Sequence, residues 1–522
     1  MEKTFQYDPG TALVKTDRGM IRGYYYDGIF HFKGVPYAKA RRFCRPQPAD
    51  AWEGVLDAVN YGCVCPLLEL PRPTGELMVP HRYWVMDEDC LNLNIWTPRL
   101  DGGKRPVMVW LHGGGFFAGS AIEQLAYEGG NMSRNGDVVV VSVNHRLNIL
   151  GYFDLSDFGE EYANSGNAGT DDLVAALRWI RGNIASFGGD PDNVTLFGQS
   201  GGGAKITALL QTPEADGLFA KGIIMSGVIG PVLTDVEESG KPLAEALLKE
   251  LGLSGIHQLE TVPYALLAGA YQKVKPQLER EGVCMDWAPH PNKFYLGDPA
   301  VHGFRKETSG VPLIVGSVFG EFSSFEPCPF DRQHITREEG VSLTASLLGE
   351  KATIELTGLF ETAYPERPAA DLLLLDTMFR EPEIRYIQQR TDLGGKVWSY
   401  LFNLDLPLDG GRTPWHCSDI PYVFHNTELV PCTQEKGVTQ RVETQIFSAV
   451  MAFARIGDPQ NPSIVHWPCS IPGEEYTLLV GKESRVAKNF DHQLIAALKK
   501  YREQKEKENP SHMAKNIQHS CE

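Results

Sequence analysis

Short, continuous apolar runs recur along the chain between longer segments with helical periodicity. Runs such as residues 105–111 and 138–143 are typical of strands that are buried on both faces of a sheet. Residues 171–187 carry leucine and isoleucine on one stripe, which predicts an amphipathic helix that ends at the Gly-Gly-Asp-Pro of 188–191. This alternation predicts an α/β protein with a mostly parallel, doubly wound sheet. Further strands are predicted at residues 194–197, 221–225, 312–318, 396–402 and 476–480.

The N-terminal portion has a different pattern, in which apolar and polar residues alternate with a period of two. Residues 91–97 share this alternation and predict a strand with one polar face. A loop is predicted at residues 33–38. Short antiparallel strands are predicted at residues 12–16, 20–26 and 29–33.

Two longer, helix-rich excursions interrupt the series of strands, at about residues 228–310 and 325–395, with amphipathic segments at 243–251 and 369–379. We expect them to be insertions over the C-terminal edge of the sheet, where a pocket forms. No repeat or linker marks a boundary, so residues 1–522 are predicted to form a single domain. The charged tail from Lys499 is expected to fray, above all residues 509–522.

Composition narrows the function classes. The formal net charge of −17 argues against nucleic acid or an anionic membrane as the main partner. The apolar runs are too short for a transmembrane segment, and no cationic and apolar leader follows Met1, so a cytoplasmic protein is expected. The ten cysteines are too few for a disulfide scaffold, and the C-x-C of Cys63 and Cys65 has no second pair that would complete a zinc site. Free thiols and no metal are therefore expected.

A candidate nucleophile lies in Gly198-Gln199-Ser200-Gly201-Gly202. The predicted strand 194–197 precedes this pattern and a helical run, residues 204–210, follows it, which is the strand–turn–helix setting of a G-x-S-x-G serine. The turn is sharp, so the residues beside the serine must lack bulk. An ordinary glycine-rich turn is the alternative, since the chain contains 53 glycines.

A serine hydroxyl needs an oxyanion hole, a base and an orienting acid before it can attack a carbonyl at neutral pH. His112-Gly113-Gly114-Gly115-Phe116 follows the predicted strand 105–111, and consecutive glycines let backbone N–H groups turn into a cavity. The predicted donors are the N–H groups of Gly114, Gly115 and Gly201. A flexible glycine loop without this role is the alternative.

Glu321 is the candidate acid, because it is a charge in an apolar run that follows the predicted strand 312–318. Glu326, Asp298 and Asp419 compete for this role. His416 is the candidate base, in a loop before the helical start at residues 418–424, and His425 is a weaker choice. The resulting order of serine, acid and histidine is that of α/β-hydrolases. The other histidines, among them His31, His81, His257 and His466, are expected to be surface or packing residues.

From about residue 11 to residue 500 the chain resembles the type-B carboxylesterase/cholinesterase family. The resemblance implies an α/β-hydrolase fold with helices on both faces of the sheet. It implies Ser200 as nucleophile, Glu321 as acid and His416 as base, with Gly114, Gly115 and Gly201 as the oxyanion hole and Ser226 as a supporting serine. The matching stretches are residues 32–38, 88–94, 112–116, 167–169 with Asp172, 187–191, 226–227 and 453–455.

The chain departs from the family pattern at three places. The family usually has Glu-Ser-Ala at the nucleophile, where this chain has Gln199-Ser200-Gly201. Gly201 keeps the N–H donor but adds backbone freedom, which predicts a looser hole. His416 is followed by Cys417-Ser418-Asp419 instead of Gly-x-Glu, and both changes favour a bacterial, para-nitrobenzyl-esterase-like branch. Residues 70–87 do not match the choline-binding gorge, so cholinesterase activity is not implied.

Eukaryotic members of the family pair the cysteine at Cys90 with one near Cys65. A reducing cytoplasm disfavours that disulfide here.

The expected reaction is hydrolysis of a small, apolar carboxylic ester through an acyl-enzyme on Ser200, with no metal or cofactor. Activity is expected to rise between about pH 6 and 8 as the base loses its proton. Thioester or amide hydrolysis or transacylation, a serine peptidase and a non-catalytic interaction member are the alternatives. A monomer or weak homo-oligomer is expected. Candidate pocket aromatics, with core packing as the alternative, are Phe116, Phe117, Phe319, Phe322, Phe325 and Trp415.

Overall fold

The computed structural model describes residues 5–6, 10–68, 75–230, 236, 238–283 and 285–508. The chain divides into two compact units. The first unit comprises residues 1–70, 81–312 and 454–458, and the second comprises residues 71–80, 313–453 and 459–522. That residues 1–522 form one domain stays a prediction.

The first unit is built on a mixed sheet with the strand order β1-β4-β5-β9-β11-β10-β12-β13. Strands β11, β10, β12 and β13 are parallel, and β9, β5, β4 and β1 continue the sheet as antiparallel strands. Its strands are β1 (Phe5–Gln6), β4 (Tyr24–Tyr26), β5 (Ile29–Pro36), β9 (Asn92–Thr97), β10 (Arg105–Leu111), β11 (Val139–Val143), β12 (Gly189–Gln199) and β13 (Lys221–Met225). Smaller sheets pair β2 (Leu13–Lys15), β3 (Met20–Arg22) and β8 (Val55–Asp57), and β6 (Ala38–Lys39) with β7 (Gln47–Pro48).

The register of β10 against β12 positions the candidate site. Leu111, the last residue of β10, is the partner of Gly198, near the end of β12. The two strands are parallel, so the loop that follows Leu111 and the turn that follows Gln199 leave the sheet at the same edge.

Three helices of the first unit, α3, α4 and α5, follow predicted segments with small shifts. Helix α3 (Ala168–Asn183) begins three residues before the predicted start at 171 and continues as a 3₁₀ turn, Ile184–Phe187. Gly188 ends it with a left-handed φ of 80°, a conformation that glycine adopts at low cost. The other helices here are α1 (Gly130–Gly136), α2 (Asn148–Gly151), α4 (Gly201–Leu210), α5 (Lys241–Leu251), α6 (Tyr264–Arg280) and α7 (Pro299–His302).

The second unit contains the parallel strands β14 (Leu313–Val318), β15 (Val397–Phe402) and β16 (Tyr476–Val480), with β17 (Arg485–Lys488) antiparallel to β16. An apolar cluster that includes Phe319, Phe360 and Tyr364 forms its core. Its helices are α8 (Arg337–Leu348), α9 (Glu350–Ala363), α10 (Arg380–Asp392), α11 (Ile420–Phe424), α12 (Thr439–Ile456, whose last residues are grouped with the first unit) and α13 (His492–Glu508).

Three local predictions were wrong. Residues 33–36 are not loop, because β5 continues to Pro36 across an irregularity between Phe32 and Val35 that keeps it paired with β9. Residues 369–379 are not one amphipathic helix: a 3₁₀ segment spans Ala369–Leu374 and helix α10 starts only at Arg380. The tail does not fray at Lys499, since α13 runs to Glu508.

Residues 509–522, where further fraying is predicted, lie outside the described residues. In the described part of the chain, no helix combines the length and the apolar character needed to cross a bilayer.

Candidate active site

Ser200 occupies a strained turn between β12 and α4. Its φ of 56° and ψ of −128° lie in a region that side chains other than hydrogen rarely adopt. Helix α4 begins at Gly201, directly after the serine and three residues earlier than the predicted 204. The Ser200 N–H donates to the Met225 carbonyl at 2.8 Å, which ties the turn to the end of β13. Ser200 is therefore presented at a fixed position, half-buried, between a strand and a helix N-terminus.

The glycines on either side of Ser200 are required by close backbone contacts. A Cβ at Gly198 would lie 2.5 Å from the carbonyl carbon of Gly202. A Cβ at Gly202 would lie 1.9 Å from the Leu111 carbonyl oxygen at the end of β10. Both contacts are too short for any side chain. The G-x-S-x-G pattern thus follows from how tightly strand, turn and helix approach one another.

In the glycine loop after β10, three successive carbonyl groups accept hydrogen bonds. Lys205 Nζ donates to the His112 carbonyl at 2.8 Å, and His112 Nδ1 bonds the Gly113 carbonyl at 2.8 Å. The Ala118 N–H donates to the Gly114 carbonyl at 2.8 Å. In a trans peptide the C=O and the next N–H point in opposite directions. The N–H groups of residues 113–115 therefore point away from these partners, as oxyanion donors must.

That Gly201 gives a looser oxyanion hole stays a prediction, but the backbone around Gly201 is closely packed. A Cβ on Gly201 would lie 2.3 Å from the carbonyl oxygen and 2.4 Å from the nitrogen of Gly115. The glycine loop therefore packs against the backbone of the turn more closely than an alanine at position 201 would permit. Gly115 itself has a left-handed φ of 58°, which a side chain would strain.

Asn148 was missed by sequence reasoning, although it restrains the same loop. Its N–H donates to the Phe116 carbonyl at 2.9 Å. Its side-chain Nδ2 donates to the carbonyls of Phe117 at 3.2 Å and Pro66 at 3.0 Å. Asn148 is buried and has a positive φ of 47°, a conformation that asparagine tolerates better than most residues.

Glu321 and His416, the predicted acid and base, contact each other within the second unit. Glu321 directly follows β14 and the 319–320 turn, with a φ of 41° and no exposed surface. Its Oε1 accepts from the Val318 N–H at 2.9 Å, and its Oε2 is hydrogen-bonded to His416 Nδ1.

Two backbone hydrogen bonds join the acid loop to the base loop. The Gly320 N–H donates to the Pro414 carbonyl at 3.1 Å, and the His416 N–H donates to the Glu321 carbonyl at 3.1 Å. The imidazole also contacts two rings, Phe322 at 4.3 Å and Phe379 at 5.2 Å between centroids. Phe379 comes directly before α10, and nothing in the sequence indicated that its ring would contact His416.

Two further buried carboxylates lie around Glu321. Burial and the charge of Glu321 raise the pKa of Asp376 to about 6, although N–H groups at the start of α10 stabilise the charged form. Burial also raises the pKa of Asp419 to about 6, against the hydrogen bond that Tyr400 donates to it at 2.7 Å. The neighbourhood of the acid is therefore short of compensating positive charge.

Three of the competing residues, Asp298, Asp419 and His425, have other partners, and Glu326 is exposed. Asp298 caps α7 by accepting from the Ala300 N–H at 2.8 Å, and Glu326 is exposed. Asp419 is bonded to Tyr400. His425, at the end of α11, contacts Glu443 Oε2 at 3.0 Å.

The six candidate pocket aromatics fall into two groups. Phe116, Phe319 and Trp415 are at most 2% exposed, and Phe116 and Phe319 belong to apolar core clusters, so packing accounts for them. Phe117 and Phe322 are about two-fifths exposed, at 41% and 40%, and Phe325 is half-buried. These three stay candidates for substrate contact.

Ser226 and the cysteine pair are buried. Ser226 follows β13 with a positive φ of 44°, directly after the Met225 carbonyl that binds Ser200. Cys65 and Cys90 carry free thiols. A hydrogen bond between them, together with burial, holds the pKa of Cys90 well above its ordinary range.

Comparisons with known proteins agree with this architecture. Residues 10–498 match the family profile described as the carboxylesterase family. The chain is 32% identical over 484 residues to the para-nitrobenzyl esterase of Bacillus subtilis (strain 168), covering 90% of this chain and 95% of that protein. It is 33% identical over 508 residues to the phenmedipham hydrolase of Pseudarthrobacter oxydans, covering 93% and 99%.

Among solved structures, an esterase from the anaerobe Clostridium hathewayi, which can hydrolyse aliphatic aromatic polyesters, is similar with a TM-score of 0.93. The sequence identity is 50%, and the match covers 96% of this chain and all of that one.

The sheet, its helices and these relatives define an α/β-hydrolase, as the family resemblance implied. The chain belongs to the carboxylesterase family. It is a carboxylic ester hydrolase, and its substrates are small-molecule esters.

Proposed function

We propose that Ser200, His416 and Glu321 act as the catalytic triad of this esterase, with the N–H groups of Gly114, Gly115 and Gly201 as its oxyanion hole. The observation that carries the proposal is the contact of His416 Nδ1 with the buried carboxylate of Glu321, a residue 95 positions earlier in the chain. An acid held in this way fixes the imidazole tautomer and stabilises the imidazolium. The strained turn at Ser200 supports the role of the nucleophile.

The reaction follows from these groups. His416 Nε2 accepts the Ser200 hydroxyl proton while Oγ bonds the ester carbonyl carbon, and the carbonyl π electrons move onto its oxygen. Backbone N–H groups stabilise this oxyanion. The C–O bond to the alcohol breaks as His416 returns its proton to the leaving oxygen. Water then attacks the acyl-enzyme by the same steps and releases the acid. Ser226 supports the turn without taking part in bond changes.

The proposed substrates are apolar esters, with Phe117, Phe322 and Phe325 as contacts for acyl or alcohol groups. The 50% identity to the esterase that can hydrolyse aliphatic aromatic polyesters favours esters of aromatic acids as one class. Release of aromatic acid from a film of such a polyester, compared with hydrolysis of the soluble monomeric diester, tests this class. Hydrolysis of the diester alone would restrict the enzyme to small molecules.

The triad is tested with Ser200→Ala, against p-nitrophenyl esters from acetate to decanoate. We expect turnover to fall by about a million-fold, as for loss of a serine nucleophile in other triads. Labelling with a fluorophosphonate followed by peptide mass spectrometry should place the adduct on Ser200. The matched control is Ser133→Ala, which removes a buried serine of α1 whose hydroxyl donates to the Val138 carbonyl. Undiminished turnover by Ser200→Ala would contradict the proposal.

Thioester or amide hydrolysis and transacylation remain the second candidate chemistry, since the same acyl-enzyme performs them. Matched ester, thioester and anilide substrates that share one acyl group separate these reactions. A bacterial source, location in the cytoplasm and a monomeric or weakly oligomeric state stay predictions from the sequence.

A further inference from the structure

Lys205 is a buried cation directly behind the candidate oxyanion loop. It lies on α4, five residues after Ser200, and it has no exposed surface. Its Nζ donates to the carbonyl of His112, the first residue of the glycine loop, at 2.8 Å. The residues of α4 that follow Lys205 are all buried, and all except Thr207 are apolar. The ammonium is therefore fully buried and donates to one backbone oxygen.

The charged groups near Lys205 do not neutralise it directly. Within the described residues, no carboxylate forms an ion pair with its ammonium. Glu123 acts on it from a distance and is itself held by the Ser120 N–H at 3.1 Å and by His81 at 3.2 Å. The Arg146 and Asp172 side chains are paired with each other at 2.7 Å.

Two histidines share this buried region. The rings of His112 and His145 stack with centroids 5.1 Å apart. Burial and then the charge of Lys205 hold the pKa of each well below its ordinary value, so both are neutral. Since a carbonyl oxygen only accepts, the bond from His112 Nδ1 to the Gly113 carbonyl places the ring proton on Nδ1.

Fold stability does not explain a lysine at this position. Burying an ammonium without a contacting carboxylate is unfavourable, and an apolar side chain of the same length would avoid that penalty. A positive charge at the base of an oxyanion loop is favourable when negative charge develops at the loop during the reaction. The residue type thus fits the transition state better than the resting fold.

We propose that Lys205 is a positioning residue of the oxyanion hole: its ammonium holds the His112 carbonyl, orients the glycine loop and places positive charge at its base. The proposal rests on the proposed function of Ser200 and the glycine loop. The hydrogen bond to the His112 carbonyl fixes the orientation of the His112–Gly113 peptide plane. The orientation of this plane in turn constrains the direction of the donor N–H groups that follow it in the loop.

The position predicts a pH dependence. Burial lowers the pKa of Lys205 to about 7, although the charge of Glu123 acts in the opposite sense. The side chain is charged below this pH and neutral above it, while His112 and His145 stay neutral on both sides. Activity should rise on the acid side as the catalytic base loses its proton and fall above neutral pH as Lys205 loses its charge. The plot of kcat/KM against pH should therefore be bell-shaped.

The test compares Lys205→Met and Lys205→Gln with Lys221→Met as the matched control. Lys221 is also buried and is the first residue of β13, at the other end of the strand from Met225. Its Nζ donates to the Asn193 side chain. Hydrolysis of a slowly acylated ethyl ester is followed by pH-stat between pH 5 and 9. Loss of the charge should lower kcat by roughly 10- to 100-fold, less than the loss of a whole oxyanion donor, with little change in KM.

Both Lys205 variants should also lose the alkaline limb, and Lys205→Gln should retain more activity than Lys205→Met because its amide still donates. Circular dichroism checks that the variants are folded, and phosphonate titration counts their active sites. Activity within twofold of wild type, with an unchanged pH profile, would overturn the proposal. A wild-type profile that is flat from pH 7 to 9 would overturn it even if both variants failed to fold. Turnover by Ser200→Ala would instead remove the proposed function on which it rests.

Discussion

Four residues with positive φ lie at candidate site positions or directly beside one. Ser200, Ser226, Glu321 and Cys417 have φ values of 56°, 44°, 41° and 77°, although none is glycine. Each comes shortly after a strand of the sheet or beside His416. Such conformations cost of order 1–3 kcal/mol each and persist only when the surroundings impose them. At Ser200 the surroundings are the Met225 carbonyl and the first turn of α4.

Strain at the nucleophile predicts a trade of activity for stability. Ser200→Gly should be more stable than Ser200→Ala by about 1 kcal/mol, because relief of about 1–3 kcal/mol exceeds the greater freedom of glycine in the unfolded chain, about 0.5–1 kcal/mol. Urea unfolding of the two inactive variants measures the difference. The same pair at Ser133, inside α1, should rank the other way. Equal stabilities at position 200 would show that the turn is not strained.

At the scale of elements, the site depends on two neighbouring parallel strands. Because Leu111 of β10 pairs with Gly198 of β12, the glycine loop and the nucleophile turn emerge side by side. Their backbones approach so closely that Gly201 and Gly115 have no room for a side chain between them. The strand register sets which loops meet, and the glycines set how near they come.

This contact predicts that Gly201→Ala is harmful here, although alanine is usual at this position in the family that the chain resembles. A Cβ 2.3 Å from the Gly115 oxygen must displace the loop, and we expect kcat to fall about 10- to 100-fold. Steady-state kinetics on a p-nitrophenyl ester measures it. Gly182→Ala in α3 is the control, because a Cβ there meets nothing within 4 Å. Unchanged kcat in Gly201→Ala would mean that the loop relaxes freely.

At the scale of the whole molecule, a buried ionic cluster holds distant parts of the second unit together. Arg380, at the start of α10, bonds Asp491 and Glu475 at 2.8 Å and Glu383 at 3.1 Å. All four side chains are at most 2% exposed. Removing one member leaves buried charges without a partner. The resulting loss in the free energy of unfolding is larger than the net stabilisation that the ion pairs contribute.

Arg380→Met should therefore lower the free energy of unfolding by about 3–5 kcal/mol. The exposed Arg385, paired with Glu381 on the same helix, is the control, and Arg385→Met should change it by less than about 1 kcal/mol. Differential scanning calorimetry follows both. If the single-domain prediction holds, one transition moves as a whole. Two transitions, of which only one moves, would contradict that prediction.

The motifs that a sequence can show are those formed by neighbouring residues. Apolar runs predicted β10, β13 and β16 with the bounds that they have in the structure, because a strand buried on both faces must be apolar throughout. The loop at 33–38 was wrong because pairing with β9 extends β5 beyond its local pattern. The helix at 369–379 was also wrong, because the local pattern does not show that the chain leaves the 3₁₀ segment at Leu374. Nor does it show that the Asp376 side chain accepts from the Phe379 N–H just before α10.

By itself, the sequence determined the α/β class, the strand–turn–helix setting of Ser200 and the glycine loop, because adjacent residues encode these features, and its resemblance to the family implied the ester chemistry. Only the tertiary structure decided the rest. It joined Glu321 to His416 across 95 positions, buried Lys205 against His112, and placed Gly201 too close to the Gly115 backbone for a side chain. It also separated the buried aromatics Phe116, Phe319 and Trp415 from the exposed Phe117 and Phe322. The physical reason is that burial, close contact and charge pairing depend on which distant segments meet, and no local pattern records that.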